Sequence, residues 1–209
     1  MIAAISMMRR QDQITQGQFR RHWLDIHGPM VCTFDGLRAY VQCHPIESPA
    51  FNARARALRI DGFPILFFDN HAERAKTQQS PAMAACNVDS TLFVGAVTRL
   101  SANVETLVPA GSAVGRVSAL LLYPDPADLD QVKADADRMA AMPALQALAR
   151  FEVRGQGAAG GNSTVHHLPI RVGAALQARF GSLVDLEFAM EGWEPTHVAR
   201  FVVEEHWLV

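Results

Sequence analysis

The sequence predicts an α+β fold in which two tandem βαββαβ halves pack sheet to sheet into one closed, or nearly closed, antiparallel barrel. Three observations lead there. The 209 residues suffice for one large domain or two of about 100 residues each. Short apolar runs and helical patterns follow the order β α β β α β in the first half, whereas a doubly wound parallel sheet would need strict βα alternation. The same order returns beyond residue 111 with weaker spelling, so the chain contains an internal repeat, with modules at 1–105 and 113–209.

The elements follow in chain order. Residues 1–8 are small and apolar and stop at the polar break 9–13, which predicts a buried first strand. Thr15 and Gln18 spell a capping box, with Phe19, Trp23, Ile26 and Met30 behind them at helical spacing. Gly28-Pro29 is expected to limit this helix near its C-terminal end. The Asp35-Gly36 turn leads into a strand over 37–44 that stops at Pro45, and 46–60 reads as a loop with one helical turn. Asp61-Gly62 opens a third strand over 63–68. A helix restarted at Ser80-Pro81 covers 71–85, and a fourth strand covers 91–100.

In the second half, a strand over 117–123 and the Asp125-Pro126 break precede a helix with Leu129, Val132, Ala136 and Met139 on one face. Pro143 stands where Pro29 stood, and a strand over 148–153 follows it. Residues 155–162 read as a flexible insertion, 183–190 as a strand of alternating polarity, 194–200 as a short helix and 202–209 as the last strand. Each half is then ferredoxin-like, an antiparallel sheet with helices on one face. The other half's sheet is the economical cover for the bare face.

Hydrophobic residues make up 49% and charged residues 19%, an ordinary globular balance. With 19 basic against 21 acidic residues and a net charge of -2, the chain is not built to neutralise many phosphates, so no nucleic-acid partner is expected. No apolar run approaches the roughly 20 residues that span a bilayer, so no membrane partner is expected either. The N-terminal apolar stretch precedes Arg9 and Arg10, the reverse of a secretory signal. Cys32, Cys43 and Cys86 cannot all pair and match no zinc or redox spacing, which fits a reducing, cytoplasmic setting.

The chemistry-bearing residues cluster in the first half. On an ideal helix His22 and His27 lie about 140° apart, flanking the Phe19/Trp23/Ile26 stripe on opposite sides. They cannot both serve one metal, and no third ligand stands at useful spacing, so no metal site is expected. Both could simply bond backbone or neighbouring acids at the helix edge. At a helix C-terminus, however, the dipole would raise the pKa of His27 and make it a proton donor. Tyr40, Gln42 and His44 share one strand face, which reads either as a solvated edge or as the lining of a ligand cavity. Asp61 reads as a turn residue and Trp23 as core. No G-x-S-x-G nucleophile and no phosphate loop is present, and His166, His167 and His197 have no partner motif and read as surface residues.

The window F-x-x-H-W-x-x-x-H-G-P-M at 19–30, followed by GLRAYVQ at 36–42 and DGFPILFFD at 61–69, resembles the EthD-like family of the dimeric α+β barrel superfamily. Residues 202–209 resemble the closing strand of such modules. The likeness is motif-specific to about residue 100 and architectural beyond it. It implies a small, mainly apolar cavity between sheet and helices, and a small-molecule ligand or substrate. Related families include cofactor-free cyclases, isomerases and decarboxylases of aromatic or polyketide-like compounds, haem-dependent oxygenases, and proteins with no known reaction. By the resemblance, His22, His27, Tyr40 and Asp61 match the recurrent polar positions, with His44 a further one. His27 and His22 would do acid–base work without a tightly held cofactor, Tyr40 would donate a hydrogen bond, and Asp61 would orient an imidazole. Trp23, Gln42 and His44 would line the ligand. A non-catalytic binding or assembly module, and haem ligation by His22, His27 or His44, remain alternatives, and a homodimer is left open. In the second half Ala136 stands opposite His22, Ala141 opposite His27 and Phe151 opposite Tyr40, so the site is expected in the first half.

Overall fold

The structure is a computed structural model that describes residues 1–111, 115–157 and 165–209. Its first half runs β1 (Ile2–Arg10), α1 (Gln16–His22), a π-helical turn (Trp23–His27), α2 (Gly28–Val31), β2 (Leu37–Pro45), α3 (Ala53–Leu58), β3 (Phe63–Phe68), α4 (His71–Gln78), α5 (Pro81–Ser90) and β4 (Val94–Val108). The second runs β5 (Val117–Pro124), α6 (Leu129–Ala140), β6 (Leu145–Gly157), the two-residue β7 (His166–His167), β8 (Val172–Phe180), α7 (Leu183–Met190) and β9 (Ala199–Trp207).

Eight strands in the order β1-β3-β2-β9-β5-β8-β6-β4 close on themselves through β1–β4 pairing, and β7 adds to β4 in parallel. All eight pairings of the closed ring are antiparallel. Strand order within the first half is β4-β1-β3-β2 and within the second β6-β8-β5-β9. The halves meet at two seams, β2 with β9 and β4 with β6. Closure removes every edge of the ring, which is the surest way to avoid unpaired strand groups. Alternation along the strands sends Ile5, Met7, Val41, Phe63, Ile65, Leu120, Phe151 and Phe201 into one shared core. The opposite faces are covered by helices, with Phe19, Trp23 and Phe93 under α1 and the π turn and Val31, Phe34, Tyr40 and Cys86 between α2 and α5.

Local chemistry explains most elements. Thr15 and Gln18 form the reciprocal capping box at the start of α1, and Gly36 takes the left-handed φ of +76° that its turn requires. Asn52, Asn70 and Ser80 cap α3, α4 and α5 through their side-chain oxygens.

Two expectations for the second half fail. Residues 183–190 form α7, not a strand: Ser182 accepts from Asp185 N at 3.2 Å, and Leu186 and Met190 bury one face at helical spacing while Phe188 stays exposed. The strand preceding it, β8, had no counterpart in the sequence pattern. The short helix expected over 194–200 is irregular chain that enters β9 at Ala199. Of the insertion expected over 155–162, residues 155–157 continue β6 and the rest lies outside the described residues.

Candidate functional site

The centre of the motif window is the π turn. Pro29 has no N–H for the Asp25 carbonyl, and its ring would clash with that carbonyl in a regular helix. The turn before it widens instead, and Gly28 N bonds Trp23 O, five residues back. The helix therefore does not end at Gly28-Pro29 but continues as α2. A turn closed by i→i+5 bonds stacks residues five apart, so His22 and His27 come to the same side rather than opposite sides. Ile26, expected in the apolar stripe, is 51% exposed, and His27 takes the buried place at 9%.

Both imidazoles converge on Asp89 of α5. His22 Nε2 lies 3.0 Å from Asp89 Oδ1, and His27 Nδ1 lies 2.8 Å from Asp89 Oδ2. An ionised carboxylate only accepts, so both ring nitrogens act as donors. Nε2 of His27 has no hydrogen-bond partner among the described residues. Phe93 packs against both rings, at 4.7 Å from His22 and 5.1 Å from His27. Burial lowers the His27 pKa below its usual value, against the opposing pull of Asp89, and the charges of His22 and Arg99 add to the lowering. The expected dipole-raised proton donor is thus replaced by a neutral imidazole with a free lone pair, because the ring sits inside a continuing helix rather than at its end. Two histidines and one carboxylate meet despite the expected 140° separation. Among the described residues, though, no group of three or more such side chains could hold a metal ion.

Asp61 is not the orienting carboxylate. It accepts from Arg10 N at 2.9 Å and pairs with the Arg10 guanidinium. Asp89 was missed because the helix was expected to stop at 85. The Cys86/Asp89 pair, three apart on the buried face of α5, is the signal that marks it.

Tyr40, Gln42 and His44 do share a face, and it turns inward under the π turn rather than to solvent. Tyr40 Oη accepts from Trp23 Nε1 and from Gln42 Nε2, each at 3.0 Å. Gln42 Nε2 also donates to Trp23 O at 2.9 Å, and His44 Nε2 donates to Gln42 Oε1 at 3.0 Å. His44 stacks on Trp23 with ring centroids 4.5 Å apart. Burial raises the Tyr40 pKa and pushes His44 down to about 3, with His206 and Arg20 adding to the latter. Gly28 is part of the fit: a Cβ there would stand 2.8 Å from Gln42 Nε2 and from Leu208 Cδ1.

The second half has a polar cluster that the sequence did not reveal. Tyr123 donates to Asp135, which His197 also meets at 2.8 Å, so His197 is not a lone surface residue. Clefts open elsewhere in the first half, and of the His22/His27/Asp89 and Tyr40/Gln42/His44 sets only His44 lines one. One of about 520 Å³ is lined by Arg9, Arg10, Arg20 and Asp61, and one of about 310 Å³ by Arg20, Arg21, Asp25, His44 and His206. A third, of about 530 Å³, lies between the sheet and helices α4 and α5, lined by Leu66, Phe68, Arg74, Met83, Arg99 and Ser101 among others. His22, His27 and Tyr40 do not line these three. On α5, Met83 and Asn87 face the third cleft, and Asp89 stands on an adjoining face toward the π turn. No helix is long and apolar enough to cross a membrane among the described residues.

Residues 11–96 match the model of the EthD domain family. None of the curated proteins matches the chain. Among solved structures the chain is similar to an anthrone oxidase-like protein, with a TM-score of 0.64 at 9% identity over 99% of this chain and 92% of that one. It is also similar to a Fusobacterium nucleatum protein provisionally described as a monooxygenase, with a TM-score of 0.59 at 6% identity over 100% and 92%. An EthD family protein from Bacillus halodurans aligns at 17% identity over 49% of this chain and 98% of its own, with a TM-score of 0.41. The two full-length likenesses establish the α+β barrel fold.

Proposed function

We propose, from the premise that residues 11–96 of this chain are an EthD domain, that the protein processes a small apolar, aromatic or polyketide-like metabolite. The chemistry is cofactor-free acid–base catalysis of the isomerase, cyclase or decarboxylase type. The observation that carries this reading is the carboxylate of Asp89 shared by His22 and His27. Asp89 fixes the tautomer in which Nδ1 of His27 holds the proton and Nε2 presents the lone pair, the arrangement of a general base. Desolvation keeps that base neutral. His22 shares the carboxylate and is the second proton carrier. Tyr40 accepts twice from neighbouring donors and keeps its own proton to offer. Removing such a base typically costs about 100- to 10,000-fold in rate. The shared strand order of the halves supports two tandem modules, the second serving as the wall that completes the barrel.

A D2O exchange assay tests the reading. Aryl ketones bearing an α-proton are incubated with the protein, and deuterium uptake is followed by NMR. The expected result is protein-dependent exchange that falls about 100-fold or more in His27→Ala and in Asp89→Asn with melting temperatures retained. Exchange that persists at the wild-type rate in a folded His27→Ala overturns it. One observation favours a second reading, a non-catalytic binding module: Tyr40, Gln42 and His44 spend their polar groups on one another. Saturable binding of those ketones with no exchange in any variant would select it.

A further inference from the structure

We propose that the cleft between α4, α5 and the outer face of β3, β1 and β4 binds a small apolar acid, with Arg74 and Arg99 receiving its carboxylate. This binding site stands whether or not His27 transfers a proton.

The cleft, of about 530 Å³, falls in the range of small-molecule pockets. Its floor is apolar, with Leu66 and Phe68 from β3 and Met83 from α5. Its charge is one-sided, since Arg74 and Arg99 line it and no Asp or Glu does. Elsewhere in the first half, Arg10, Arg38 and Arg56 each hold a carboxylate. Among the described residues the Arg99 guanidinium bonds only Asn87 Oδ1, at 3.1 Å, and the Arg74 guanidinium bonds nothing. Both are partly withdrawn from water, and Arg99 feels the like charge of Arg74. Two partly desolvated cations facing one cleft without a counter-charge are unfavourable, and an anion bound there would offset that cost. A third group points the same way. Ser101 Oγ, on the cleft wall, is buried without a hydrogen-bond partner, and a ligand oxygen beside it would supply one. Guanidinium forks match the geometry of a carboxylate, and the apolar floor selects an acid carried on a hydrocarbon or aromatic body.

The probe is 2-naphthoate, titrated calorimetrically into the full chain, with 2-naphthamide as its neutral isostere. The acid is expected to bind about tenfold or more tightly than the amide, and to lose that advantage in Arg74→Met/Arg99→Met and at high salt. Should the double variant fail to fold, Arg74→Met alone, on the half-exposed face of α4, is expected to lose part of it. Equal binding of acid and amide overturns the proposal, as does undiminished acid binding in a folded variant lacking both arginines. Absence of saturable binding at millimolar acid, or displacement by inorganic phosphate at equal concentration, also overturns it. Binding of the acid is expected to survive His27→Ala. Its loss in a folded His27→Ala would place the acid at the imidazoles and overturn this site, whereas failure of the exchange assay alone leaves acid binding standing.

Discussion

For His27 and His44, burial rather than helix position sets protonation. His44 is sandwiched between Trp23 and the edge of His206, and its pKa is pushed down to about 3 chiefly by desolvation. It is therefore neutral at physiological pH and does not serve as an acid there. The linkage has a definite sign. Between about pH 6.5 and 3 the unfolded chain binds a proton at His44 that the folded chain refuses, so stability is complete above 6.5 and declines as pH falls through that window. His27, also lowered, acts in the same direction. His44→Phe keeps a ring on Trp23 and removes the titration. Urea unfolding at pH 7 and pH 5 is expected to show the wild type losing about 1–2 kcal/mol more than His44→Phe. Equal acid losses in the two proteins would show that His44 takes a proton without cost.

At the level of elements, Gly28 and Gly62 let the motif helix lie against the sheet. Gly62 faces the Trp23 ring so closely that a Cβ there would overlap it, and the ring is rigid. Gly62→Ala is accordingly expected to lower stability by about 1–3 kcal/mol. Gly17→Ala, on the open face of α1 with nothing within 4 Å, is expected to raise it by about 0.5–1 kcal/mol. Thermal melts compare them, and a neutral Gly62→Ala would mean that the Trp23 ring has room to move. The same helix shows what the sequence conveys. Its start was legible because Thr15 and Gln18 are local chemistry, but its phase was not. A 3.6-residue period extrapolated through Pro29 puts Ile26 in the core and parts His22 from His27, whereas the π turn reverses both. The Tyr40/Gln42/His44 face was legible from strand alternation. Asp89 could not be assigned as the partner of the imidazoles, because that contact spans 62 residues of chain and depends on how α5 packs. In the second half, alternating polarity over eight residues imitates a strand and conceals α7, which Ser182 caps.

For the molecule as a whole, closure into one barrel leaves a charged residue inside the wall near a seam between the halves. Glu205 of β9 pairs across the seam with Cys43 of β2 and is fully buried. Its carboxylate receives Ser118 Oγ from β5, Gln177 Nε2 from β8 at 2.6 Å, Arg179 Nε from β8 at 2.7 Å and Trp207 Nε1 at 2.8 Å. Four donors, one of them a cation, satisfy a group that would otherwise be prohibitive to bury. The Arg179 guanidinium also lies over the Trp207 ring, 4.5 Å from its centroid. Truncating the acceptor strands all four donors at once, so Glu205→Ala is expected to cost about 3–5 kcal/mol. Glu204→Ala, one residue away on the outer face, is expected to cost less than about 1 kcal/mol. Removing both charges in Glu205→Leu/Arg179→Leu is expected to recover part of the loss, because the stranded cation goes with its partner. Denaturant midpoints for the single and double variants decide it. If Glu205→Ala costs no more than Glu204→Ala, the buried pair does not hold the strands together, and closure rests on backbone pairing and the apolar core alone.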